Sequence, residues 1–160
     1  MTLKVTIEGG DRVAKFIKDR LPTVTEAVVV RMNALLIRLQ TYIVGQKLSG
    51  QVLHHRSGHL IDSIRLEPPQ PVIEGTRVIG GVQGAGPIAW YGKIHEYGGT
   101  FGVKEHVRKA LSPKGMAYER TIKAHSVTFP ERSFMRSSVT DMRDQIVAGL
   151  QGAINEALSK

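Results

Sequence analysis

At 160 residues the chain is long enough to bury one substantial core and short for two. Its apolar content of 41% is that of an ordinary globular domain, and the absence of cysteine excludes both disulfides and thiolate metal sites. The formal net charge of +8 is the anomaly: a basic surface suits nucleic acid, anionic lipid or an acidic protein, and the cations run from Lys4 to Lys160 instead of forming one tract.

Residues 2 to 8 alternate, with Leu3, Val5 and Ile7 on one side, and predict a half-buried strand. This N-terminus has no basic start followed by an unbroken apolar run, so synthesis in the cytosol is expected. Asp11 caps a short predicted helix through Leu21, with Val13, Phe16, Ile17 and Leu21 inward, and Pro22 separates it from the next element.

Thr23 to Leu48 is the longest helix candidate. At about 100° per residue, Glu26, Asn33, Gln40 and Lys47 form one polar stripe and Arg31, Arg38 and Gly45 another, so two apolar faces are separated. The wider carries Val28, Met32, Leu35, Leu36, Leu39, Tyr42 and Ile43; the narrower carries Ala27, Val30, Ala34, Ile37 and Val44. The second face must meet something, either the protein's own sheet and helices or a neighbouring subunit. The charges within Val24 to Val44 argue against a membrane span.

Ser49 and Gly50 end that helix. Ser57 is a predicted cap for a short helix from Gly58 to Ile64 with Leu60, Ile61 and Ile64 inward. Pro68, Pro69 and Pro71 predict a turn or an edge over 67 to 71, and Thr76 to Val82 a strand that pairs with Val72 to Glu74 across Gly75. A helix from Ile88 to Tyr97 is closed by Gly98 and Gly99. Thr100 to Leu111 and Tyr118 to Phe129, joined by a turn containing Pro113 and Gly115, predict a long hairpin bearing Lys104, Arg108, Lys109, Lys114, Arg120 and Lys123. Pro130 starts the last helix, which buries Met135, Val139, Met142, Ile146, Leu150, Ile154 and Leu158.

The candidate chemistry is thin. His55 and His59 stand four apart near His54 and Asp62, but Ser57 and Gly58 interrupt a helix between them and a third ligand is wanting; a solvated connector is the ordinary reading. His95 and Glu96, being adjacent, point about 100° apart on a helix and cannot form a relay. Glu96 is instead a receiver for Arg132 or Arg136, with Tyr91 and Tyr97 packed across the sheet beside Trp90. The glycines of 80 to 86 lack the ending of a phosphate loop, and Ser57, Ser63, Ser112 and Ser133 sit in no nucleophile elbow. We expect no catalysis, cofactor or metal. The hairpin cations suit an acidic partner or DNA phosphates, and equally a solubilised edge.

Three segments remain: Gly58, Leu60, Ser63 and Ile64 in a Gly-x-Leu-x-x-Ser-Ile pattern; Tyr91, Glu96, Tyr97 and Gly98 in Tyr-x-x-x-x-Glu-Tyr-Gly; and Pro130, Arg132, Phe134 and Arg136 in Pro-x-Arg-x-Phe-x-Arg. In this order they resemble the tail-completion, or head-to-tail connector, proteins of tailed bacteriophages, the neck and minor tail proteins of lambdoid long-tailed phages, over roughly residues 10 to 160. The resemblance implies a virion protein, assembled in the host cytoplasm, that forms a hexameric ring at the head-tail junction. It would contact other neck, connector or tail-tube proteins and pass genomic DNA through its lumen. Alternatives are a tail terminator, a sequence-nonspecific nucleic-acid-binding protein and, least, an enzyme using His95 and Glu96.

Strand, helices, strands, helix is the order of an α+β fold. The expectation is one domain over 1 to 160, an antiparallel β-sheet packed against a long central helix and a C-terminal amphipathic helix, with the basic hairpin over 100 to 129 protruding as an insertion.

Overall fold

The structure, a computed structural model, describes residues 10–53, 58–72, 77–87, 89–111, 113 and 115–159; the predicted strand over 2 to 8 lies outside them. The fold is α+β: a long N-terminal helix, a C-terminal helix and small two-stranded antiparallel ladders.

The long helix, α1, runs from Gly10 to Tyr42 without a break at Pro22. The two helices expected there are one, because the carbonyl that a proline frees belongs to Lys18, an exposed residue where water can satisfy it. Fusion carries the first turns of α1 beyond the core. Val13, Phe16 and Ile17, expected inward, are therefore exposed, and Arg20 lies over the Phe16 ring at 4.5 Å while donating to Leu158 O at 2.9 Å.

After Tyr42 the chain widens into π-helical turns, Ile43–Gln51, in which Ser49 and Gly50 leave helical geometry (Gly50 φ 131°). Bonding five residues back instead of four brings Ile43 and Leu48 round to the same side, and both are almost completely buried. They join Leu39, Leu53, Ile64, Phe134 and Met142 in the core. The wider apolar face of α1 thus becomes the interior. Gln40 of the polar stripe bonds Ile64 O at 3.0 Å, and Lys47 pairs with Asp141 at 2.7 Å.

Helix α2, His59–Ser63, starts after Gly58 in the left-handed conformation (φ 77°); the expected cap Ser57 lies outside the described residues. Strand β1, Ile64–Val72, then runs through all three prolines as an edge of a two-stranded ladder, so of the turn or edge expected over 67 to 71 it is the edge that forms. Its ladder with β2, Arg77–Gly84, slips between Glu67 and Gln70, so Pro68 and Pro69 oppose the single residue Gly80 in a bulge that asks no N–H of either proline. Gly80 is obligatory there: a Cβ would stand 2.7 Å from Pro69 Cα. This hairpin packs on α1, as does the C-terminal helix.

Helix α3, Ala89–Tyr97, ends at Gly98 (φ 64°), whose N–H bonds Ile94 O at 2.8 Å. The chain then forms the long hairpin as two ladders, β3 (Gly99–Val103) with β6 (His125–Phe129) and β4 (His106–Leu111) with β5 (Ala117–Ile122). Val103 faces His125 and His106 faces Ile122, so one register runs through both. At the interruption the carbonyls of Lys104 and Lys123 are each met at 2.9 Å by the Nδ1 of His106 and His125.

The last helix, α4, spans Met135–Ser159, five residues later than Pro130 promised. Its inner face is also turned. Ser138, Met142, Gly149 and Ala157 are buried, whereas Val139, Ile154 and Leu158 are exposed. The cause is close approach to α1: a Cβ on Gly149 would meet the Arg31 guanidinium at 3.1 Å and Leu35 Cδ1 at 3.2 Å, so small residues occupy the seam. The single sheet expected under both helices is divided: the β1–β2 ladder packs on α1, and the long hairpin forms ladders of its own.

Candidate functional site

The second and third motif segments, distant in sequence, meet at one carboxylate, and the first lines the groove beside it. Glu96, 4% exposed, projects from α3 into the N-terminus of α4. Its Oε2 accepts the N–H groups of Phe134 (2.8 Å) and Met135 (2.9 Å). Its Oε1 accepts the Arg136 N–H (2.9 Å), the Ser133 hydroxyl (2.9 Å) and Arg136 Nε (3.2 Å). A helix leaves its first N–H groups without internal partners, and an anion there is favoured by the aligned peptide dipoles. Sequence α4 supplies no acidic residue in its own first turn, so the cap comes from another helix.

Burial is the largest influence on Glu96 and pushes its pKa up, but the bonds from Met135, Arg136, Ser133 and Phe134 together outweigh it and hold the carboxyl below its ordinary value. Arg136 completes the joint. Its Nη2 donates to Glu96 O at 2.9 Å and to Glu131 Oε1 at 2.6 Å, and its guanidinium lies 4.6 Å from the centre of the Tyr97 ring. Of the two arginines proposed for Glu96, Arg136 is the donor. Arg132 contributes its backbone, donating N–H to His95 O at 2.8 Å.

The first motif closes the joint from below. Leu60 presses on α3 so closely that a Cβ on Gly92 would come within 3.0 Å of its Cδ1, and the Phe134 ring, 1% exposed, would lie 3.7 Å from the same Cβ. Ser63 donates to Leu60 O at 2.7 Å. A groove of about 310 Å³ between these segments is lined by Leu60, Ser63, Ile64, Glu96, Phe134 and Arg136 among others. Gly98 lets the end of α3 approach the segment before α4, since a Cβ there would stand 2.7 Å from Glu131 N. Pro130 is exposed in the segment leading to α4 and does not start it.

His95 is 8% exposed, and among the described residues neither ring nitrogen has a hydrogen-bond partner. It sits edge-on to Tyr91 (4.4 Å) and Phe129 (5.9 Å), and burial, then the charge of Arg132, lowers its pKa. The aromatic residues of α3 do not pack across a sheet: Trp90, Tyr91 and Tyr97 are exposed. A second tie, not anticipated, joins Lys47, Tyr42 and Asp141, with the Tyr42 hydroxyl donating to Asp141 Oδ2 at 3.0 Å. With both oxygens of Glu96 engaged, the arrangement holds elements together and presents no free lone pair to a substrate.

The narrow face of α1 divides. Val30 (66% exposed), Ala34 and Ile37 (48% exposed) face outward, Ala27 is half-buried, and Val44 packs against the core and so leaves the candidate interface. Val30, Ala27 and Ala34 form one wall of a groove of about 650 Å³ whose other wall is Ala148, Gly149, Gly152 and Ala153 of α4. The stretch Asp11–Gln51 is long and apolar enough by length and composition to cross a membrane, but Leu35, Leu36, Leu39 and Ile43 within it are the protein's own core.

Of the hairpin cations, Lys104, Arg108, Lys109, Arg120 and Lys123 are exposed, and Lys114 lies outside the described residues, as do His54 and His55. Among the described residues no three His, Asp or Glu side chains gather as metal ligands. No protein-family model, curated protein or solved structure matches the chain.

Proposed function

We propose that the chain is a structural subunit of a tailed-bacteriophage particle, a tail-completion or head-to-tail connector protein that closes into a ring with its own copies. The observation that carries this reading is the unpartnered narrow face of α1, where Val30 and Ile37 stand in water on a helix whose other apolar face is already the core. The groove beside it, walled by alanine and glycine, has room for a neighbour's side chains at close range. The joint at Glu96 supports the same reading, since it ties the second and third motif segments of the phage resemblance together, with the first lining the same groove, and engages both carboxylate oxygens in holding α4.

In such a ring the contact is heterologous and closed by rotation, so the α1 face meets a different patch of the next copy. The ring would sit in the virion neck or upper tail between other connector or tail-tube proteins, with genomic DNA passing through. No turnover is involved.

The test is the double variant V30D/I37D, at positions exposed enough that folding should change by no more than about 0.5 kcal/mol each. Wild type should sediment as a ring and restore tail attachment to phage lacking this gene product; the variant should melt normally, sediment as monomer and leave filled heads beside detached tails. If the two proteins sediment alike and both restore infectivity, the reading fails.

A further inference from the structure

The outer half of the long hairpin, β4 with β5, makes no extensive contact with any other element and is largely exposed. Residues directly opposite on paired strands share a face, and opposite charges there are favourable while like charges are not. The two faces of this ribbon differ in that respect. On one, Lys109 stands opposite Glu119; on the other, Arg108 stands opposite Arg120. Among the described residues neither arginine forms an ion pair.

Alongside the two arginines, on the same face, are the pairs Ala110–Tyr118 and His106–Ile122. The small Ala110 leaves a hollow of about 420 Å³ lined by Arg108, Ala110, Tyr118, Arg120 and Ile122, with Lys109 of the neighbouring position at its margin as a third cation. Folding gains nothing from facing arginines over a hollow. An anion bridging them would turn the repulsion into attraction.

We propose that this face binds the phosphodiester backbone of duplex DNA. Guanidinium groups match phosphate oxygens with two parallel hydrogen bonds, and a two-stranded ribbon free of the body has dimensions that the major groove admits. Tyr118 lies on the same face for contact with sugar or base edges. A globular acidic partner would call for a broader apolar patch than Tyr118 and Ile122 provide. The inference does not rest on ring formation, since one exposed ribbon suffices.

The experiment is fluorescence anisotropy of the full chain with a short labelled duplex of arbitrary sequence, titrated over monovalent salt. Wild type should bind at low salt. R108Q/R120Q should weaken binding about tenfold and flatten the plot of log K against log salt by about 1.8, at about 0.9 per lost phosphate contact. R108K/R120K, which keeps the charge and removes the fork, should weaken binding with little change in slope. R12Q/K15Q, which removes two exposed cations of α1, should lower affinity by less than about twofold. The proposal is overturned if wild type does not bind at low salt, or if R12Q/K15Q loses as much as R108Q/R120Q. Poly-glutamate bound as tightly as the duplex, with the same dependence on Arg108 and Arg120, would assign the face to an acidic protein and equally overturn it.

Discussion

Glu96 Oε2 holds the Phe134 N–H at 2.8 Å across 38 residues of sequence, while the Phe134 ring fills the core beneath Gly92. One residue of the third motif is thus gripped twice, by its backbone through α3 and by its side chain through the core. The start of α4 is therefore set by a long-range contact and not by its own first turn.

Replacing Glu96 with alanine should leave the N–H groups of Phe134, Met135 and Arg136 without their acceptor. A lost helix cap together with a buried unsatisfied donor costs about 2–4 kcal/mol. Glu96→Gln keeps one acceptor oxygen and should lose about half as much. Urea unfolding followed by circular dichroism measures both, and equal stability of all three proteins would contradict the capping role.

Phe134→Ala should cost about 3–5 kcal/mol, because the ring is fully buried and little around it can collapse into the space. Phe134→Leu should recover more than half of that loss. The same denaturant series gives the ranking.

Acid should destabilise the fold in two stages. The pKa of His95 in the folded protein is below its ordinary value of 6.5, so as pH falls under 6.5 the unfolded chain takes up a proton before the folded one does, and stability declines. Glu96 is likewise lowered from 4.5, so its contribution is complete above 4.5 and is lost as pH drops through the lower folded value. His95→Phe keeps the aromatic contacts and should flatten the first decline alone; Glu96→Gln should flatten the second. Unfolding free energies measured across this range separate the two.

Gly98→Ala and Gly115→Ala form a controlled pair. Both glycines have positive φ, 64° and 79°, but a Cβ at 98 would collide with Glu131 N while one at 115 meets open space. Gly115→Ala should cost about 1 kcal/mol of backbone strain, and Gly98→Ala clearly more, because the clash is with backbone that cannot swing away. Differential scanning calorimetry gives the difference.

Much of this fold is written in local pattern. The heptad-like spacing of Leu35, Leu36, Leu39 and Ile43 marked the buried face of α1, Gly98 marked the end of α3, and the turn around Gly115 marked the long hairpin, whose register the structure supplied. Glu96 was read as an arginine receiver and proved to be one, with Arg136 as donor. These features depend on residues within a few positions of each other, or on chemistry that only one or two partners could satisfy.

Other features depend on what lies across the chain. Pro22 and the prolines of β1 break regular structure only where a missing N–H matters, and here solvent and a bulge against Gly80 remove the cost. The rotation of α4, which buries Ser138 and Gly149 in place of Val139 and Ile154, follows from how closely α1 approaches. The helix start moved from Pro130 to Met135 because its cap is donated by α3. Periodicity ranks the apolar faces of a helix, but the choice among capped ends, tolerated prolines and contact faces is settled by packing energies that arise only when distant segments meet.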